Sequence, residues 1–348
     1  MCGVITMAKA TQLTQDVETS EMTMVEAICE AHDQELARDD RVMIMGEDVG
    51  WDGGIFRATD GLVETYGEDR VVDTPLAETG IIGTAVGLAI NGMRPVPELQ
   101  FSGFSYQAFH QIESHLARFR KRTQGGMNVP VTIRMPYGAG VRALEHHSES
   151  RETYWIHTPG LTVVIPRSPQ QTWAYLKASI RSEDPVVFLE PKALYRKFRE
   201  PVPEEDVDTD QLPDIGPAQV LEEGEDVTVV AFGHMLYRTR QAVAELEEEH
   251  DISATVIDLP TVSPLDSETI VDSVEDTGRC VVVQEAHRTL GIASEISARI
   301  MDEAVLHLEA PVKRVTAPDV QTPLLAREQA YMPDVPRIKE GIVETVDF

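Results

Sequence analysis

Short apolar runs alternate with amphipathic stretches along most of the chain, and this alternation constrains the fold more than any other feature. Met24, Ala27, Ile28, Ala31 and Leu36 recur at helical spacing, with Thr23 placed as an N-cap and Glu26 completing a capping box. Val42-Met43-Ile44-Met45 then reads as a buried strand ending at Gly46. A Gly- and Ala-rich helix is predicted over 80–91, a composition poor for an isolated helix but suited to close approach of neighbours. Strands are expected at 94–101, 131–135, 161–165 and 186–189, with helical segments over 106–123 and 169–181. Strands separated by helices pair in parallel, and the sheet they form is covered on both faces.

The stretch 200–217 breaks this rhythm, being rich in Pro and Asp/Glu and poor in core residues, and reads as a linker. Beyond it come strands at 227–232, 252–259 and 280–284, and helices at 236–249, 266–274 and 292–304. The expected organisation is a flexible polar arm (1–20), a first α/β domain (21–199), the acidic linker (200–217) and a second α/β domain (218–348). A chain of 348 residues has the length for two such three-layer domains.

Charge narrows the function classes. With 59 acidic and 30 basic side chains the formal charge is −29, the reverse of what a phosphate-binding surface needs, so nucleic acid is not an expected partner. The basic residues are 23 Arg and only 7 Lys, and high acid with few Lys reads as adaptation to concentrated salt, where screening weakens self-repulsion. Cys2, Cys29 and Cys280 form neither an even framework nor a CxxC, and read as reduced thiols. No window approaches the ~18 apolar residues of a membrane span, and no signal peptide is evident. The expectation is a cytoplasmic protein without a membrane partner.

Three segments could carry chemistry. In Asp73-Thr74-Pro75-Leu76-Ala77-Glu78-Thr79-Gly80 a carboxylate sits on a Pro-started turn before the small-residue helix, where burial would raise its pKa and suit it to moving a proton. The competing reading takes Glu78 as a helix-start charge favoured by the dipole. His146-His147-Ser148 follows the glycine-bearing stretch 135–140 in a polar loop, a setting for proton transfer near neutral pH. It lacks metal-ligand spacing, and no GxSxG elbow accompanies it. His110 and His234 read as surface or packing residues. Gly46-Glu47-Asp48-Val49-Gly50 is neither a P-loop nor a dinucleotide fingerprint, and its glycines fit a tight turn or close backbone approach.

Taken in order, these segments resemble the beta subunit of the thiamine-diphosphate-dependent 2-oxo acid dehydrogenase component, the decarboxylating partner in pyruvate, branched-chain 2-oxo acid and acetoin dehydrogenase complexes. Arg70-Val71, Gly92-Met93-Arg94-Pro95, Glu98-Leu99-Gln100-Phe101, Pro159-Gly160-Leu161, Pro185-Val186, Asp258-Leu259 and Pro264-Leu265-Asp266 share in the resemblance, which covers about residues 20–345. It implies a transketolase-like pyrimidine-binding domain followed by a transketolase C-terminal domain. It also implies Glu47, Glu78 and Phe104 at the cofactor. Glu78 takes the position of the carboxylate that bonds the pyrimidine ring nitrogen, and Phe104 that of the aromatic beside the aminopyrimidine. His147 corresponds to the histidine facing the reacting centre, suited to acid–base work as the acyl group passes to lipoyl. The implied partners are an alpha subunit in an α₂β₂ heterotetramer, a lipoyl-bearing dihydrolipoyl acyltransferase and a 2-oxo acid. The Gly-Asp-Gly segment that anchors the diphosphate through Mg²⁺ in thiamine enzymes is missing, which assigns that task to the alpha chain.

The sequence departs from the family at Gly103 and His110, where Asp is common, and at Glu149, where Gln is usual. Ser182 and Asp184 differ from the loop that, with Ile180, forms a monovalent-cation site in some relatives; potassium is carried as an expectation there. The alternatives are an acetoin dehydrogenase beta subunit and a split transketolase-like half acting on sugar phosphates.

Overall fold

The computed structural model describes residues 17–348. In the first unit the elements are β1 (Thr19–Met22), α1 (Met24–Arg38), β2 (Val42–Gly46), α2 (Leu62–Tyr66), β3 (Val71–Asp73), α3 (Glu78–Ile90), β4 (Arg94–Pro97), α4 (Phe119–Arg122), β5 (Thr132–Tyr137), α5 (Glu152–Ile156), β6 (Thr162–Val164), α6 (Pro169–Arg181), β7 (Val186–Pro191) and β8 (Glu200–Pro203). There follow β9 (Gln219–Glu222), β10 (Val227–Ala231), α7 (Gly233–His250), β11 (Ala254–Asp258), β12 (Thr261–Ser263), α8 (Ser267–Thr277), β13 (Cys280–His287), α9 (Ile292–Glu303), β14 (Lys313–Ala317), α10 (Glu328–Tyr331) and α11 (Val335–Val346).

The first sheet has two parts, β3-β2-β4 and β12-β6-β7-β5, and the parallel bridge Glu98↔Arg134 carries pairing from one to the other. Within it only β12 is antiparallel. The second sheet runs β14-β13-β10-β11-β9, parallel except for β9 at its edge. By chain order β12 belongs with the second series, yet it is an edge strand of the first sheet. One apolar cluster takes in Ile133, Val163 and Leu189 of the first sheet together with Val230, Ile257 and Val282 of the second, so the two units share a core. α1 and α6 close the first sheet's other face, and α7 and α11 close the second's.

Local chemistry explains the elements that position the site. Thr23 caps α1 through the reciprocal bonds of a capping box: its N–H donates to Glu26 Oε2 at 2.7 Å, and its Oγ1 accepts from the Glu26 N–H at 3.4 Å. The stretch 106–123, read as one helix, is instead a 3₁₀ turn (Ser102–Tyr106), a π turn (Gln111–His115), a second 3₁₀ turn (Leu116–Arg118) and α4. Thr79 Oγ1 donates to the Gln107 carbonyl, tying this stretch to the start of α3.

Segment 200–217 is more ordered than its composition suggested. Its strand β8 pairs with β1, and Val202, Val207 and Leu212 are buried. The acid that looked like linker solvation has structural partners. Asp206 accepts from the buried Lys177 Nζ at 2.6 Å and from Arg181 Nη2 at 2.5 Å, and Arg181 also pairs with Glu35. Of the expected arm, residues 1–16 lie outside the described residues, as does Cys2, and Thr19 and Ser20 already belong to β1. Cys29 and Cys280 are free thiols that burial pushes up to about 12, so both stay protonated and inert at neutral pH. Among the described residues no helix is long and apolar enough to cross a membrane.

Candidate active site

Glu78 opens α3, and the chain before it is tied to the loop after β2. The Thr74 N–H donates to the Gly46 carbonyl at 2.8 Å, and the Asp73 carboxylate accepts from the Gly50 N–H at 2.7 Å. This stitching turns Glu78 inward, leaving it 4% exposed with Oε2 buried and unpartnered. A buried acceptor without a donor costs about 1–3 kcal/mol, so such a carboxylate is an unfilled binding group. Glu47 lies half-buried nearby; burial first, then the charges of Glu78, Asp48 and Glu98, raise its pKa. The two carboxylates that the resemblance implies at the cofactor therefore lie within charge range of each other.

The 3₁₀ turn Ser102–Tyr106 brings Phe104 to the histidine loop. The His147 ring lies 4.3 Å from that of Phe101 and 5.2 Å from that of Phe104, edge to face, and the two phenylalanines are 5.5 Å apart. His147 Nδ1 is buried without a partner. Burial, then the charges of Lys192 and His146, lowers its pKa, so the imidazole is neutral at pH 7 and able to accept a proton. Because Thr79 is bonded to Gln107, three residues past Phe104, the start of α3 and this aromatic turn are held together.

The departures at Gly103 and Glu149 belong together. A Cβ at Gly103 would lie 2.0 Å from the His146 carbonyl oxygen and 2.8 Å from Glu149 Oε2, so no larger residue fits beneath the loop as it stands. Glu149 is fixed from several sides: its carbonyl accepts from Ser102 Oγ at 2.8 Å, and its carboxylate accepts from Tyr106 Oη at 3.2 Å and pairs with Arg151. Arg151 in turn lies over the Tyr106 ring at 4.6 Å. His110 is exposed and packs against His115, 5.0 Å between rings; His234 is buried, its Nδ1 3.6 Å from Glu285.

The third expected location is elsewhere. The carbonyls of Ile180 and Ser182 accept from Arg94 Nη1 at 3.1 and 2.9 Å, and Asp184 pairs with Arg120. A guanidinium already uses two of the oxygens a monovalent cation would need, so the loop as arranged does not fit potassium. Among the described residues no group of three or more His, Cys, Asp or Glu is placed to hold a metal ion.

Sequence reasoning missed Glu152, Lys192 and Glu285, which lie behind the histidine loop and carried no local signal. Glu152 is fully buried with neither carboxylate oxygen partnered, and burial, assisted by Glu285, raises its pKa to about 7. With a folded value above the unfolded one, Glu152 costs nothing by ionisation below about pH 4.5, and the penalty builds as pH rises to 7 and is complete above it. Glu152→Gln should therefore raise stability at pH 8 by up to about 3 kcal/mol and change little at pH 4.5. Denaturant unfolding at the two pH values checks this; an equal change at both would refute it.

Comparison with known proteins settles the family. Residues 20–197 match the transketolase pyrimidine-binding domain, and residues 216–338 the transketolase C-terminal domain. The pyruvate dehydrogenase E1 component subunit beta of Bacillus subtilis (strain 168) is 47% identical over 329 residues, 94% of this chain and 100% of that protein. The chain belongs to the pyruvate dehydrogenase E1 beta-subunit family. The E1 beta subunit of Staphylococcus aureus (strain N315) is 48% identical with the same coverage. Among solved structures, a split gene transketolase described as an inactive beta4 tetramer aligns with a TM-score of 0.74. It covers 94% of this chain and 99% of that one at 23% identity, a likeness of fold alone. The two-unit architecture expected of an E1 beta subunit is thus the one observed.

Proposed function

We propose that this chain is the beta half of a thiamine-diphosphate-dependent pyruvate dehydrogenase E1 component, active when assembled with its alpha subunit. The observation that carries the reading is the buried, unpartnered Glu78 oxygen, within charge range of Glu47 and on a helix start bonded to the turn whose Phe104 packs on His147. That donor set fits an aminopyrimidine: Glu78 would hold the ring nitrogen and exchange a proton with it, Phe104 would bound the ring, and Glu47 would keep the recess acidic. When bound, the cofactor supplies an electron sink for decarboxylation. This chain then contributes His147, a neutral imidazole placed to move a proton as the acyl group leaves for lipoyl on an acyltransferase.

The sequence has no Gly-Asp-Gly, which supports placing the diphosphate and Mg²⁺ with the alpha subunit. A partner over this face also accounts for exposed apolar side chains near the site, including Trp51, Leu76, Tyr106 and Leu144. The surplus acid fits a salt-adapted surface, with Glu247, Glu248 and Glu249 exposed in one run.

Reconstitution with the alpha subunit, thiamine diphosphate and Mg²⁺ at high salt should give pyruvate decarboxylation with an artificial electron acceptor. No turnover on pyruvate would sink the proposal, and faster turnover on acetoin or branched-chain oxo acids would reassign the substrate. His147→Ala should slow acyl transfer to a lipoyl domain by about 10²-fold or more, the range for one positioned acid–base group, while decarboxylation falls much less. Equal losses in the two half-reactions would contradict the division of labour.

A further inference from the structure

The loop bearing His147 spans 138–151, and groups from the second unit reach it at several points. Glu285, buried near the end of β13, accepts through Oε1 from the Ala139 N–H and from Ser150 Oγ, the latter at 3.0 Å. One carboxylate oxygen thus ties both ends of the loop. Glu328 of α10 accepts from the Arg142 N–H at 2.8 Å, and Thr322 Oγ1 lies 3.5 Å from the Ser148 carbonyl oxygen. Backbone and carboxylate meet closely because residue 138 is glycine: at φ +82°, its Cβ would lie 2.8 Å from Glu285 Oε1. Lys192, which follows β7, donates to the Gly138 carbonyl.

The charges around Glu285 come from every side. His234 and Arg238 approach from α7, Lys192 from the segment after β7, Glu152 from α5, and the phenols of Tyr137 and Tyr331 from β5 and α10. Burial pushes the Glu285 carboxyl upward, but His234, the Ala139 N–H and Lys192 outweigh it and hold the group below the usual range. The clamp is therefore an ionised, charge-assisted acceptor at neutral pH.

We infer that Glu285 is a positioning residue for acyl transfer: the C-terminal domain, through this carboxylate, fixes the loop that presents His147. The mechanical part stands on geometry alone, and the catalytic part rests on the role proposed above for His147. A displacement of about 1 Å at a reacting group can cost about 10²-fold in rate, so a clamp on the loop termini has kinetic weight.

The test uses the assembled enzyme. In Glu285→Ala, amide exchange across 138–151 should rise while the β10–β13 strands stay protected, and acyl transfer to a lipoyl domain should fall about 10²-fold. The acidic limb of the acyl-transfer pH profile should move to higher pH, because a loosened loop re-solvates an imidazole whose pKa burial had lowered. Glu285→Gln keeps an acceptor oxygen and should restore most of the rate and the protection. If Glu285→Ala does not assemble, Ser150→Ala decides, since it removes one bond from the loop side. Unchanged loop exchange in the variant that assembles overturns the clamp. Raised exchange with an unmoved rate and pH profile overturns its catalytic consequence, and only that outcome reflects on His147.

Discussion

Glu78→Gln is expected to lower pyruvate turnover by about 10³-fold or more while leaving the heterotetramer intact. The substitution is nearly isosteric, and within the chain the Oε2 oxygen has no partner to lose. In the proposed role it removes a group that would both accept and return a proton at the ring nitrogen, and general acid–base groups of this kind contribute about 10²–10⁴-fold. Loss of the charge also relieves Glu47, whose pKa burial raises first and the neighbouring Glu78 charge second. The variant should therefore be no less stable than the parent, in keeping with active-site groups that are held at a cost to folding. Steady-state decarboxylation assays and sedimentation of the assembled complex check both halves. Wild-type turnover would remove Glu78 from the mechanism, and failure to assemble would make it a structural residue.

The sequence carried the parts of this site that are local and left silent those that depend on distant pairing. The capping box at Thr23 and Glu26, the strand ending at Gly46 and the helix Pro169–Arg181 follow from spacing, and the structure has them. Helix α3 begins at Glu78, two residues before its predicted start, which places the carboxylate in the first turn and not on the approach to it. The irregularity of 106–123 could not be read, because its turns meet distant partners, among them Thr79, 28 residues from Gln107. Strand β12 was missed for a similar reason: three residues gain strand character only by lying beside β6 of the other unit. The burial of 200–217 was hidden behind its acid, whose partners Lys177 and Arg181 lie on a helix with no sequence link to it. Glu285 gave no signal because its role is to hold a loop 135 and more residues away in sequence. Composition reports which charges exist, and tertiary pairing decides which are buried.

Arg134→Met should be the most damaging substitution for stability, by about 3–5 kcal/mol, and its cost should depend on pH. Arg134 is fully buried on β5, donating to Glu190 from Nε at 2.7 Å and Nη2 at 3.1 Å, and from Nη1 to Glu98 at 2.8 Å. Tyr195 Oη donates to the second Glu190 oxygen at 2.6 Å. The cluster lies where the two parts of the first sheet meet, since Glu98 and Arg134 form the bridge that carries pairing across. Methionine removes the cation between two buried carboxylates, leaving Glu190 with Tyr195 alone and Glu98 without its guanidinium. Burial already raises the pKa of Glu98, opposed first by Arg134; without that guanidinium the residue is driven further toward its protonated form. The variant's deficit should therefore be largest near pH 8, where proton uptake is least favourable, and should shrink as pH falls and the carboxyls become neutral. Adding Glu98→Gln and Glu190→Gln should recover most of the lost stability, because the penalty comes from uncompensated charge more than from lost volume. Because Glu98 also packs against Gly46 and adds its charge to that acting on Glu47, the single variant should lose turnover in parallel with stability. Denaturant titrations of the single and triple variants at pH 8 and pH 5.5 provide the measurement. A deficit equal at both pH values, or one that the triple variant retains in full, would show that packing and not charge holds the two halves of the sheet together.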